Sequence, residues 1–112
     1  MNKYKRNIIY KMYYKLYNVE KQINFEWDTE KNLINIRKHN ISFEVASRVF
    51  LDGNRIEMYD LDHNCDEERW QTIGLVEDVL FVVYTTRKEN IRLISARKAN
   101  KEEVEKYYGK NY

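Results

Sequence analysis

The chain has 112 residues, of which 34% are charged and 43% hydrophobic, with ten Tyr, four Phe, two Trp, three Gly, one Cys and no Pro. That length and aromatic content predict one globular domain, and the lack of Pro and Gly excludes collagen-like segments and Pro-rich linkers. The lone Cys65 excludes an intrachain disulfide framework and a Cys-rich zinc site, and no apolar run is long enough for a membrane-spanning helix. The expectation is a small, soluble cytoplasmic protein.

The formal charge of +2 conceals a split: residues 1–22 hold six bases and one acid (+5), and residues 23–112 hold 14 bases and 17 acids (−3). The first part also holds five of the ten tyrosines, so a compositional boundary falls near Lys21–Ile23. A signal peptide is excluded, because the run Ile8–Tyr14 is broken by Lys11 and lacks a small-residue cleavage site. Residues 1–22 read as a basic extension, poorly ordered or weakly helical. A helix with bases spread around it would alternatively suit RNA or an acidic lipid surface.

Residues 23–112 read as one α+β domain. Phe25-Glu26-Trp27 is a short extended piece, and Asp28 caps a helix over Thr29–His39. Leu33 and Ile36 are expected inside, and Lys31, Asn35 and Lys38 on one outer face at i, i+4 and i+7. Asn40 ends this helix in the left-handed conformation, and Ser42 caps a second, Phe43–Leu51, which buries Phe43, Ala46, Val49 and Phe50. The period then changes to that of strands: Arg55–Tyr59, Arg69–Val76, Val79–Thr86 and Ile91–Arg97, a four-stranded antiparallel meander. Asn100 and Glu103 have capping-box spacing at the start of a last helix, Lys101–Tyr108.

The acidic loop of residues 60–68 alternates like the start of a calcium loop. However, Cys65 replaces the required glycine and Gln71 the bidentate glutamate. His63 and Cys65 lack a second zinc pair. A solvated loop is the simpler reading, and no metal or cofactor is expected. What remains is a set of cations: Lys31 and Lys38 beside His39, Arg69 after Glu68, and Arg92, Arg97, Lys98 and Lys101 near the end. Metal-free RNA cleavage needs a base for the 2′-OH, an acid for the leaving 5′-oxygen and fixed cations for the phosphate. His39 or Glu68 suits the base and His39 or a tyrosine the acid. Arg69, Arg97 and the lysines suit the clamp. Each residue also has a plainer reading: His39 as a helix-end residue, Glu68-Arg69 as a surface pair, Arg97 as a partner of Glu103, and Lys31 and Lys38 as solvated.

The run Phe25-Glu26-Trp27-Asp28, Lys31, Asn35, Lys38-His39 and Ile41-Ser42-Phe43-Glu44 continues with Glu67-Glu68-Arg69-Trp70 and Ile73-Gly74. Arg92-Leu93-Ile94-Ser95-Ala96-Arg97, Ala99, Glu103 and Tyr107 follow. This ordered set resembles the BrnT family of type II toxin–antitoxin toxins over residues 23–108. The resemblance implies a RelE-like fold with two N-terminal helices, a four-stranded meander and a C-terminal helix. It also implies an endoribonuclease that stops translation. The implied partner is a BrnA-like antitoxin, in a heterotetramer of two toxins and two antitoxins, with DNA bound only through the antitoxin. Catalytic candidates are then His39, Glu68, Arg69 and Arg97, and RNA-binding candidates are Lys31, Lys38, Arg92, Lys98, Lys101 and Tyr107. Asn40 stands where the family pattern has glycine, and Val104 where it has arginine. The lost cation at Val104 motivates the alternative of a catalytically inactive RNA- or partner-binding module.

Overall fold

The computed structural model describes residues 7–16, 19–61 and 67–109. Two strands, β1 (Asn7–Leu16) and β2 (Val19–Asp28), precede helix α1 (Thr29–His39). A single turn of α-helix, α2 (Phe43–Ala46), then tightens into a 3₁₀ segment, Ser47–Leu51. Strands β3 (Ile56–Tyr59), β4 (Trp70–Val76), β5 (Asp78–Arg87) and β6 (Asn90–Lys98) follow, and helix α3 (Lys101–Gly109) closes the chain. The six strands form one sheet in the order β1-β2-β6-β5-β4-β3, with every pairing antiparallel except β2 with β6.

Three expectations are corrected here. The sheet has six strands, so the fold is not two helices followed by a four-stranded meander. The basic extension contributes strand β1, not a helix or an irregular tail, and it pairs with β2 along all ten residues. Tyr10 and Met12 pack on the core, with Met12 buried and the Tyr10 ring 5.9 Å from that of Trp27, while Ile8 on the same side of β1 stays exposed. The second helix is mostly 3₁₀. Phe43, Ala46 and Val49 recur every three residues, which matches three residues per turn and puts all three side chains into the core at 0% exposure.

The local signals explain the helix ends. The Asp28 carboxylate accepts from the N–H groups of Glu30 and Lys31 at 2.8 and 3.3 Å, and Asn40 closes α1 at φ 59°. Ser42 Oγ accepts from Val45 N–H at 3.1 Å. Asn100 and Glu103 form a reciprocal capping box at 2.8 and 2.9 Å.

Register neighbours share a face, and the two faces differ. One is covered by α1, α2 and the 3₁₀ segment, over Phe25, Trp27, Leu80, Val82, Tyr84, Leu93 and Ala96. Along its edge the Arg55 guanidinium donates to Glu57 and Thr72 and lies 4.7 Å from the Phe50 ring, and Tyr84 OH donates to Glu57. The other face carries α3 over a small cluster of Ile56, Ile73, Val79 and Tyr107.

Helix α1 docks in an unexpected orientation. Leu33 and Ile36 are 52% and 37% exposed, whereas Asn35 is buried at 5%. Strand β2 pairs with β6 only at Asn90–Arg92, which leaves the Ala96 backbone without a strand neighbour on that side. The Asn35 amide takes the place of that neighbour. Its Nδ2 donates to Ala96 O and Ile41 O, both at 2.9 Å, and its Oδ1 accepts from Ala96 N–H at 3.1 Å. Gly74 has a different constraint: a Cβ there would meet Val49 Cβ at 3.0 Å and Val49 O at 3.3 Å, because the 3₁₀ segment lies directly on β4.

Asn35→Ala strands three buried backbone groups, Ile41 O, Ala96 O and Ala96 N–H, and the expected loss is roughly 2–4 kcal/mol in urea unfolding. Gly74→Ala overpacks the contact with Val49, with an expected loss of about 1–3 kcal/mol in the same assay.

Candidate nucleic-acid interface

Helix α3 covers only the β3–β5 part of its face. The remainder is a polar surface whose rows follow from the register, with Thr85 and Glu26 buried within it and the Arg92 side chain 15% exposed. Arg97 lies beside Phe81, Ser95 beside Val83, Arg92 beside Thr85, and Asn90 beside Arg87. Across the parallel joint Glu26 lies beside Arg92 and Asn24 beside Asn90, and β1 adds Ile9 and Lys11 to those two rows. Arg69 directly precedes Trp70, the first residue of β4, which packs against the main core opposite Tyr84. The Thr85 hydroxyl, which donates to the Glu68 carbonyl, ties that approach to β5.

Arg92 is held in place. Its Nη1 donates to Glu26 Oε2 at 2.6 Å, and Asn90 Nδ2 donates to Glu26 Oε1 at 2.9 Å. Burial works to raise the Glu26 carboxyl, but the hydrogen bonds from Asn90 and Arg92 and the charges of Arg92 and Arg87 outweigh it and hold the carboxyl below the usual range. Arg87 lies 3.7 Å from Glu67 and stays half-exposed. Arg69 makes no ion pair among the described residues.

Arg97 is engaged differently. Its two terminal nitrogens donate to the two Glu103 oxygens at 2.8 and 2.9 Å, and its guanidinium lies 4.2 Å from the Phe81 ring. For Glu103 too, burial is outweighed, here by Arg97, the Asn100 N–H and Lys106, and its carboxyl lies low. Four residues of β5 separate the Phe81 and Thr85 rows, which puts Arg97 about 13 Å along the strands from Arg92.

The structure divides the remaining candidates. Lys31, Lys38 and His39 are exposed on α1, which covers the opposite face of the sheet, so they do not join Arg69, Arg92 and Arg97. Lys98 is in register with Leu80 at the rim of that same opposite face and lies 3.5 Å from Asp78. Lys101 is exposed at the start of α3, and Glu68 is exposed beside Arg69. Tyr107 is 3% exposed and donates its hydroxyl to Asp52 Oδ2 at 2.6 Å, so it faces the interior and not the open surface. Residues 62–66, which include His63 and Cys65, lie outside the described residues. Sequence reasoning missed Glu26, Asn90 and Arg87 as parts of the surface. Only the parallel pairing of β2 with β6 brings Glu26 to Arg92, 66 residues away.

Comparison with known proteins now bears on this surface. Residues 27–103 match the family described as "Ribonuclease toxin, BrnT, of type II toxin-antitoxin system". That match covers more than half of the chain. The chain belongs to the BrnT family. Its fold is similar to that of the Brucella abortus ribonuclease toxin BrnT, with TM-score 0.51 and 24% identity over 67% of this chain and 94% of that one. No curated protein matches the chain. All of β1, and β2 up to Glu26, precede the family-matched residues. Asn40, where the BrnT pattern has glycine, adopts the left-handed backbone that either residue accepts. Val104, where that pattern has arginine, packs against the small cluster under α3.

The Asp52–Tyr107 pair gives a pH prediction. Burial disfavours the Asp52 charge, but the Tyr107 hydroxyl and the Leu75 and Asn54 N–H groups outweigh it and lower its pKa. Burial and the adjacent Asp52 push the Tyr107 phenol up to about 12. The Asp52 contribution is present above the ordinary carboxylate pKa of about 4 and is lost as pH falls through its lowered value. The Tyr107 contribution is present below the ordinary phenol pKa of about 10 and is lost as pH rises through about 12. Thermal melts should therefore show a fall in Tm at both extremes, and Tyr107→Phe should flatten the alkaline one.

Proposed function

We propose that this chain is a metal-independent endoribonuclease that cleaves RNA on the open face of the sheet and thereby stops translation in the cytoplasm. The observation that carries the reading is Arg92 in register with Thr85 on the face that carries α3, with Arg69 one residue before β4, in a chain of the BrnT ribonuclease-toxin family. Arg92, fixed by Glu26 and Asn90, is preorganised toward a phosphate, and Arg69 brings a charge that no described acid neutralises. Exposed Glu68, next to Arg69, takes the 2′-OH proton. The 2′-oxygen then attacks phosphorus, the bond from phosphorus to the 5′-oxygen breaks, and the 5′-oxygen takes a proton from solvent water, giving a 2′,3′-cyclic phosphate and a 5′-hydroxyl. DNA lacks the attacking hydroxyl, so only RNA is cut.

The expected partner is a BrnA-like antitoxin, two copies of which hold two toxins and carry the DNA-binding function. Expressed alone, the chain should arrest growth, and co-expressed antitoxin should relieve the arrest.

Arg69→Ala should reduce cleavage of a model RNA by more than about tenfold, because it removes charge stabilisation of the transition state. Lys38→Ala and His39→Ala, on the opposite face, should change it by less than about twofold. Cleavage should persist in EDTA, and loss of activity there would overturn the metal-free mechanism. A second reading, a fold that binds RNA without cutting it, is favoured by the Glu103 clamp on Arg97 together with Val104. Bound but intact RNA after prolonged incubation would establish that reading.

A further inference from the structure

Helix α1 is built inside out. Its branched aliphatic residues are Leu33, Ile34 and Ile36, and all three are exposed, at 52%, 42% and 37%. The side that meets the rest of the domain is polar: Asn35 bonds to Ala96 and Ile41, and Asn32 Oδ1 accepts from the Phe43 N–H at 2.8 Å. An amphipathic helix ordinarily does the reverse, because the burial of aliphatic carbon is what stabilises its docking. The fold draws little stability from these three side chains. A partner that covered them would gain roughly 25 cal/mol for each Å² of apolar surface removed from water.

The exposed aliphatics share their surface with cations. Leu33 lies three residues before Ile36 and four before Arg37, and Ile34 lies three before Arg37, four before Lys38 and three after Lys31. Those spacings put side chains next to one another on a helix. Lys31, Arg37 and Lys38 are all exposed, and none makes an ion pair among the described residues. Glu30 is the one acid of the helix, and the adjoining α2 and 3₁₀ segment add exposed Glu44 and Arg48, whose charges cancel.

The mixture selects an occupant. A second copy would set the same three bases against themselves, because a two-fold contact pairs a patch with its own image. A nucleic acid would meet the bases but lay sugars and phosphates on aliphatic carbon, and α1 has no Phe, Tyr or Trp on which a base could stack. A protein segment with acids beside apolar residues satisfies both sets: it covers Leu33, Ile34 and Ile36, and its carboxylates face the bases. A chain of a toxin–antitoxin family calls for such a protein partner.

We infer that the solvent face of α1 docks an acidic, amphipathic segment of the antitoxin. The inference rests on the toxin reading above for the identity of the partner. It adds where the partner is held: on the side of the sheet opposite Arg92 and Arg97, through a contact that leaves those arginines untouched.

The test uses the full chain and the antitoxin that relieves growth arrest in co-expression. Leu33→Gln/Ile34→Gln removes apolar surface with a residue that still favours a helix. Arg37→Glu reverses one charge, and Arg37→Lys preserves it. Unaltered circular dichroism and melting would show that α1 is still docked; if the glutamine variant melts early, Arg37→Glu decides. Antitoxin binding is followed by calorimetric titration at low and high salt. Sedimentation, RNA binding and RNA cleavage of each chain alone are measured in parallel. The glutamine variant should bind antitoxin more than about tenfold more weakly, as loss of central apolar contacts does. Arg37→Glu should weaken binding by about fivefold or more at low salt and by less at high salt. Arg37→Lys should keep wild-type affinity, and every variant alone should cleave RNA as the wild type does. Full antitoxin affinity in either the glutamine or the glutamate variant, with arrest and relief intact for the wild type, would overturn the docking surface and leave the toxin reading standing. A wild-type chain that arrests nothing, or whose arrest no antitoxin relieves, would overturn the inference together with the reading it rests on. Self-association that the glutamine variant abolishes would make the face a contact between copies, and weakened RNA binding in Arg37→Glu would make it part of the RNA surface; either result would also overturn the inference.

Discussion

Asn35 joins the two halves of this fold. Strand β6 has a partner along only part of one edge, since β2 pairs with it at three residues and then leads into α1. Ala96 lies beyond that joint, and its backbone would be buried without a donor or acceptor. A side-chain amide offers a donor and an acceptor side by side, as a neighbouring strand's backbone would. With Asn35 in that place, α1 lies against β6, and the main core closes over Phe25, Trp27 and Phe43. The next residue of β6, Arg97, is then directed to the opposite face, where α3 and Glu103 meet it.

The open face works through uneven neutralisation. Arg92 and Arg97 each have a carboxylate within hydrogen-bond distance, and both carboxylates are held charged, Glu26 by Asn90 and Arg92 and Glu103 by Arg97 and the Asn100 N–H. Such pairs set the direction of a guanidinium and reduce its net charge at the same time. Arg69 and Lys11 lack such partners among the described residues, so they supply net charge at the two sides of the surface. Fixed arginines in the middle and uncompensated bases at the sides make an arrangement suited to holding a flexible polyanion in one register.

Much of the body of the fold is legible in the chain. Asp28, Asn40, Ser42 and the Asn100–Glu103 box announce the helix ends, and strand limits from Ile56 onward differ by at most a single residue from those expected. The misses near the start share a cause: charge and composition obscure the period. Ile8, Tyr10, Met12, Tyr14 and Leu16 alternate as a half-buried strand does, and that signal is present in a segment dominated by its lysines. Asn35 has the helical spacing of Lys31 and Lys38, but the unpaired strand edge that draws it inward exists only in three dimensions. The same holds for the separation of His39 from Arg69, because which face a helix covers depends on the order of strands in the sheet. The motif set, by contrast, leads to the right family, because it is spread over most elements of the domain.

Asp28 is both the last residue of β2 and the cap of α1, so no linker separates strand from helix. Two regular elements that share a capping residue cannot swivel independently without breaking the cap. The position of β2 is thus tied to the docking of α1, which Asn35 fixes at Ala96, one residue before Arg97.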